Sequence, residues 1–296
     1  MKATVSSNKH VMNSMNNLEL KEHERKTWAA VAEGWRRRDE LLRKSSAPVT
    51  ERMLELAAIG TGHHVLDIAS GTGEPAISAA QRVGDTGRVI GTDLVDDMLT
   101  VAREKATHAK LKNIEFRCID GEALEFVTSS FDAVTIRWGL MFMPEPEACL
   151  RRVYRQLKNN GRVVIACWAE PERNPFVSVI MEILAKYREM PKPTPNATGM
   201  FSFADAERLR TVLQVSGFVD IKIEDMVVDI IEVDSAATYC ATMLDLAGPV
   251  KVLVDQLDSK TRDRFIENVV STASQNEVEG ALRMRGTTWI ASATRL

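Results

Sequence analysis

Apolar positions along the chain follow two alternating periods. Short, almost continuously apolar runs at His64–Ala69, Val89–Asp93, Ile114–Asp120, Phe131–Arg137 and Arg162–Trp168 read as strands buried on both faces. Between them, segments near Glu74–Val83, Val95–Lys105 and Pro146–Leu157 space their apolar residues as helices do. This alternation predicts a parallel sheet covered by helices on both sides. Upstream, Leu18–Lys44 favours helix, with Trp28, Val31, Trp35 and Leu42 roughly on one face. A second helix is predicted from about Pro48 to Ile59, stopped by Gly60 and Gly62. Residues 1–17 are polar and predict a flexible tail.

The second half is less regular. Asn174–Tyr187 predicts a helix, and the three prolines and glycine of MPKPTPNATG forbid regular structure after it. Asp205–Ser216 reads as a helix closed by Gly217, Phe218–Val228 as a strand, and Arg283–Thr294 as a final strand. Ser235–Ser274 looks helical, interrupted at Gly248-Pro249. The organisation that follows is N-terminal helices over 18–60 and a sheet domain over 61–296, with cap insertions at about 172–203 and 235–274.

Composition narrows the classes. With 45% hydrophobic and 27% charged residues, the 296-residue chain can bury a sizeable core. A net charge of −3 argues against a nucleic-acid binder. Cys118, Cys149, Cys167 and Cys240 form no C-x-x-C pair, which points to a reducing compartment and no structural metal. No stretch approaches the ~18 apolar residues of a membrane span, so the default expectation is a cytoplasmic protein. A homo-oligomer is compatible with all of this.

The chemistry concentrates in Val65–Pro75, VLDIASGTGEP. A buried strand carries an acid, and a glycine-rich turn then enters a helix. Glycines serve where backbone approaches a ligand or takes positive φ, and the carboxyl ends of such strands form the usual ligand crevice. Asp67 suits a ligand ammonium and suits a pyrophosphate poorly. Asp93, closing the second strand, can accept from both hydroxyls of a ribose. Asp120-Gly121, closing the third, offers a carboxylate and a backbone N–H to an adenine edge. Amino acid, ribose and adenine are the parts of S-adenosylmethionine.

DIASGTGEP, GTDLVDDML, IDGEALEF, FDAVTIRWGLMFM and LKNNGRVVIACW resemble, in order and spacing, the motifs of class I S-adenosylmethionine-dependent methyltransferases. The resemblance is best to the small-molecule branch that includes ubiquinone and menaquinone C-methyltransferases. It implies an α/β fold, a seven-stranded Rossmann-like sheet ordered 3-2-1-4-5-7-6 with strand 7 antiparallel. It implies S-adenosyl-L-methionine as cofactor and C- or O-methylation of a small, apolar or aromatic acceptor. Carried over by position, Gly71 and Gly73 line the methionine portion with Ala69 and Ser70 of the same loop, and Asp67 supports it. Asp93 holds the ribose, Leu94 and Met98 flank the adenine, and Asp120 and Gly121 contact its amine and ring. Arg137 and Trp138 sit beside the methyl donor. The large Ser235–Ser274 insertion departs from the quinone enzymes, so their substrate does not transfer with the motifs.

Other readings compete. Gly71-x-Gly73-x-x-Ala76 also satisfies a loose dinucleotide fingerprint, and Tyr154-x-x-x-Lys158 mimics a short-chain dehydrogenase pair. The serine such a pair needs is missing upstream, where Met141 stands. A cofactor-binding protein of this fold with other chemistry is a further alternative. Trp35 is a candidate to face a sulfonium cation, with packing as the even alternative. His10, His23, His63, His64 and His108 all fall away from the strand carboxyl ends, so a histidine base is not expected. Glu170, Tyr187 and Tyr239 lie near the presumed mouth without marking themselves as bases. Met181, Leu184, Met190, Met200, Phe201, Met243 and Leu244 suggest an apolar acceptor pocket in the insertions, or their packing onto the core.

Overall fold

The computed structural model describes residues 16–190 and 197–296. The expected tail, apart from its last two residues, and most of the proline-rich stretch lie outside the described residues. Strands β1 (His64–Ile68), β2 (Arg88–Asp93), β3 (Ile114–Cys118), β4 (Phe131–Arg137) and β5 (Leu157–Trp168) pair in parallel in the order β3-β2-β1-β4-β5. β6 (Val219–Val233) forms the far edge. Between it and β5 runs β8 (Ala281–Thr294), antiparallel to both. The order matches the expected 3-2-1-4-5-7-6, with one strand more than expected. β7 (Glu277–Val278) folds back on β8 through Glu279 and Gly280, both at positive φ, the conformation a two-residue hairpin turn requires. Two exposed residues carry no apolar pattern, so the sequence does not announce this strand.

Right-handed crossovers place α4 (Ala76–Val83) and α5 (Asp96–His108) on one face of the sheet and α6 (Pro146–Gln156) on the other. The central strands are therefore sealed. Val65, Leu66, Val134, Ile136, Val163, Val164 and Ile165 expose nothing, which is why their runs are apolar without alternation.

The N-terminal helices differ from the expectation. The single helix over Leu18–Lys44 is in fact α1 (Asn17–Ala29), α2 (Ala32–Arg37) and the first part of α3 (Asp39–Leu56). The break expected before Pro48 is absent: α3 runs through the proline and buries Ser46, Val49, Thr50, Met53 and Leu54 on both sides of it. Packing against β5 and β6 outweighs the local cost of the proline. The true breaks fall at Ala30–Val31 and Arg38, where no glycine or proline signals them. Val31 is buried there with Met98, and the turn seats α2 on a later helix.

That helix is α9 (Ala236–Leu246), the first of three in the second insertion, followed by α10 (Gly248–Asp255) and α11 (Ser259–Ala273). The break before Gly248 is the expected one. A second precedes α11, which Asp258 caps by accepting from Thr261 N. α7 (Pro175–Leu184) packs on α11, and α8 (Ala206–Val215) packs on α6. No single helix among the described residues is long and apolar enough to cross a membrane. α9 and α10 would be so only together, and they bend by 98°.

α2 and α9 meet with no slack. A Cβ on Gly34 would lie 2.1 Å from the Asp245 carbonyl oxygen. Arg37 and Arg38 reach the Asp245 carboxylate at 2.6 and 2.9 Å. Gly34→Ala should therefore overpack backbone against backbone and cost about 1–3 kcal/mol. It should appear as a lowered thermal midpoint, and a midpoint equal to that of the unsubstituted chain would mean the helices dock less closely.

Candidate functional site

The carboxyl ends of β1, β2 and β3 bring three carboxylates to one edge of the sheet. Asp67 sits in the middle of it, opposite Gly91 of β2 and Thr135 of β4. Its Oδ1 accepts from Thr135 Oγ1 at 2.6 Å, while Oδ2 is buried without a hydrogen-bond partner. Burial pushes the Asp67 carboxyl up to about 7, against the opposing pull of the hydrogen bond from Thr135 and the charge of Arg137. Asp93 joins two segments. Its Oδ2 accepts from Gly71 N and its Oδ1 from Val95 N, each at 2.9 Å, so one carboxylate ties the loop after β1 to the start of α5. Burial raises its pKa too, with the amides of Gly71, Val95 and Leu94 opposing.

The loop itself is built on left-handed backbone. Ala69, Gly71 and Gly73 have φ of 57°, 51° and 111°. A Cβ on Gly71 would meet nothing within 4 Å, so this backbone faces open space. Gly73 differs: a Cβ there would lie 2.7 Å from Ile77 Cδ1, so its role is packing against α4. Ser70 is buried, its hydroxyl donating to Asp67 O. The missing side chain at Gly121 makes room for Met143, whose Cε a Cβ would approach to 2.8 Å.

Asp120 caps the turn after β3, its Oδ1 accepting from Glu122 N at 2.8 Å. Its Oδ2 accepts from Lys21 Nζ at 2.6 Å, across 99 residues of chain. α1 thus lies over the ends of β2 and β3. Leu94 and Met98 are covered by the α1–α2 junction, Val31 and Ala32. Trp35 donates from Nε1 to Leu246 O and meets Trp28 edge-on at 6.2 Å, joining the helices rather than standing free. Trp28 packs on Phe142 at 5.1 Å.

At the end of β4 two neighbouring residues do different things. Arg137 turns toward α3, donating to Ser46 Oγ at 2.8 Å and Thr50 Oγ1 at 2.7 Å, and to Glu74 O at 3.2 Å. It ties α3 to the glycine loop from the carboxyl end of β4. Trp138, at φ 57°, donates to Thr288 Oγ1 and stacks on Trp168 with centroids 4.4 Å apart. Trp168 in turn meets Phe176 of α7 at 4.9 Å. Sequence reasoning gave no part in the site to Lys21, Trp168, Phe176 or Thr288. Trp168, the last residue of an apolar strand run, carried a positional signal; Lys21 carried none.

Several competitors are placed elsewhere. Tyr154 packs on Phe218 and Lys158 bonds Asp132 at 2.8 Å, so that pair belongs to the opposite end of the sheet. His63 and His64 precede β1, and His108 ends α5. Tyr239 donates to Phe176 O, Tyr187 to Arg264 O, and Glu170 lies 3.8 Å from Arg173.

Comparison with known proteins adds the following. Residues 49–194 match the model of the ubiE/COQ5 methyltransferase family. The ubiquinone/menaquinone biosynthesis C-methyltransferase UbiE of Klebsiella pneumoniae is 30% identical over 60% of this chain and 75% of its own length. The enzyme of the same name from Pseudoalteromonas translucida is 41% identical over 39% of this chain, and there the match spans 47% of the relative. Among solved structures, phosphoethanolamine N-methyltransferase 2 of Haemonchus contortus, in complex with phosphomonomethylethanolamine and S-adenosylhomocysteine, shares the fold at a TM-score of 0.55. It is 17% identical, over 95% of this chain and 60% of that one.

The Asp67 carboxyl makes stability depend on pH. Its folded value near 7 lies above the ordinary aspartate value of 3.8. Its contribution is therefore fully present below about pH 4 and lost as pH rises through 7. Asp67→Asn removes this titration. In thermal unfolding of the unliganded protein, the variant should gain on the original chain between pH 5 and pH 8. A constant difference between the two would show that Asp67 does not titrate in this range.

Proposed function

The chain belongs to the ubiE/COQ5 methyltransferase family, and from that membership we propose that it transfers the methyl group of S-adenosylmethionine to a small apolar or aromatic acceptor. The observation that supports this most is the row of carboxylates, Asp67, Asp93 and Asp120, at three consecutive strand ends around the open backbone of Gly71. The residues fit the cofactor's parts. The unpartnered buried oxygen of Asp67 lacks a donor, which an ammonium group supplies. Asp93 retains lone pairs for the ribose hydroxyls beside its two amide donors. Leu94 and Met98 flank the base, and Asp120 takes its amine.

When bound, the cofactor supplies a sulfonium-activated methyl group for in-line displacement. The protein's part is orientation and exclusion of water. Asp93 holds the Gly71 loop against α5, and Arg137 holds it against α3, so that loop is fixed before ligand arrives. Trp138, partly exposed and backed by the buried rings of Trp168 and Phe176, offers an aromatic surface beyond the donor, suited to a flat apolar ring. Helices α7 and α9–α11, with α1 and α2, serve as the cap. The relatives' name places them in quinone biosynthesis, and we extend a quinone-related ring and C-methylation to this chain as part of the proposal. The family match ends at residue 194, before α9–α11, so these helices set the particulars of the acceptor.

Calorimetry tests the cofactor: S-adenosylhomocysteine should bind and NADH should produce no heat. Asp93→Ala should weaken binding at least tenfold, since each hydrogen bond to a charged acceptor contributes about 1.5–3 kcal/mol. Tight NADH binding without any response to S-adenosylhomocysteine would remove the reading.

The cap is tested by methionines. Met243 is buried, whereas Met181 and Met200 are only partly so. Met243→Ala should lower stability by about 2–5 kcal/mol. Met181→Ala and Met200→Ala should change transfer of labelled methyl to a demethylated hydroquinone, with S-adenosylhomocysteine affinity within about threefold of the original. Unaltered turnover in both would make these helices scaffold.

A further inference from the structure

We propose that Lys21 occupies the place that the exocyclic amine of a bound adenine takes on Asp120, and that α1 is a strap which unlatches as the nucleoside enters. The inference rests on the cofactor reading above. Lys21 Nζ lies 2.6 Å from Asp120 Oδ2 and 2.5 Å from Glu122 Oε2, and the Glu122 side chain is only 4% exposed. The other oxygens at this corner already have donors: Asp120 Oδ1 accepts from Glu122 N, and Glu122 Oε1 from Glu145 N. Those two donors are backbone groups of the sheet domain. Lys21 is the donor that comes from a separable element.

Like an ammonium, an adenine amine is an N–H donor, so the two compete for the same oxygen. The buried Glu122 gives the displaced lysine a partner. The flexible Lys21 side chain can release Asp120 first while still paired with Glu122, and lifting α1 then opens that carboxylate to water. The rest of α1 closes over the same region. Asn17 Nδ2 donates to Glu145 Oε1 at 2.9 Å, Trp28 packs on Phe142, and just past the end of α1 Val31 and Ala32 cover Met98. A base entering between Met98 and Asp120 must lift this cover.

α1 is suited to lifting. Thr27, packed on Gly248 of α10, is its only fully buried residue, so apart from that one point it is held by polar and aromatic contacts rather than by a broad core face. Elements with few buried apolar contacts open at low free-energy cost. Lys21 is thus a positioning residue that sets how readily the nucleoside reaches Asp120.

The test uses the full chain, S-adenosylhomocysteine as probe, and stopped-flow measurement of its association, with circular dichroism to follow helix content. Lys21→Met should speed association roughly tenfold or more, the effect of removing one charge-assisted contact. Asn17→Ala, which loosens the same strap without leaving a buried charge, should speed it by a smaller factor. If Lys21→Met keeps its helices and binds at the original rate or more slowly, the latch is wrong. Should that variant fail to fold, Asn17→Ala decides: an unchanged rate overturns the proposal. Absence of binding by the unsubstituted chain would instead overturn the cofactor reading, and the latch with it.

Discussion

Parallel strands buried on both faces must release their polar ends at one edge, and at that edge the carboxylate of Asp93 holds the crevice together. It accepts from Gly71 on one side and Val95 on the other, so the loop after β1 and the helix after β2 cannot move independently. Charge-assisted bonds to backbone amides are among the stronger ones available to a protein. Because Asp93 fixes Gly71, the open backbone face of that residue stays presented to the crevice. Arg137 secures the other side of the same loop, drawing Glu74 O toward Ser46 and Thr50 of α3. The loop is thereby clamped between two helices before any ligand is present.

Around this rigid floor the covering elements are held by different forces. α9 meets α2 backbone to backbone, with two arginines on Asp245, and α7 joins the sheet through Phe176 and the Trp138–Trp168 stack. These contacts are apolar or sterically close and resist sliding. α1 is held by the carboxylates of Asp120, Glu122 and Glu145, by the edges of Trp28 against Phe142 and Trp35, and by Thr27 against Gly248. The division between a fixed floor, a packed cap and a loosely tied strap follows from which residues each element buries.

Electrostatics within the floor are uneven in a useful way. Asp67 has one satisfied and one unsatisfied oxygen in a site closed to water, and burial holds it near neutrality. A cation placed beside it would favour the charged form and release its proton. Asp93, though its pKa is also raised, has a backbone donor on each oxygen. Two carboxylates on neighbouring strands are thus set up differently by their hydrogen bonds.

The alternation of apolar runs and amphipathic segments was enough to determine the parallel sheet, its strand positions and the carboxylates that close β1, β2 and β3. Those features depend on local period and on chirality, which act along the chain and leave a readable pattern. The glycine-rich turn was legible for the same reason, since Gly71 and Gly73 need backbone that other residues rarely adopt. What the chain did not announce depends on contacts between distant segments. Pro48 reads as the start of a second helix until α3 is seen running through it, packed on β5 and β6, where burial outweighs propensity. The sequence does not show that Arg137 meets Ser46 and Thr50, about 90 residues earlier in the chain. Lys21 is one charge among many on a polar helix, and only the fold brings it across 99 residues to Asp120. Periodicity reports which face of an element is buried. Which partner meets that face is decided by tertiary packing, where hydrogen bonds and close approach select among many local patterns that look alike.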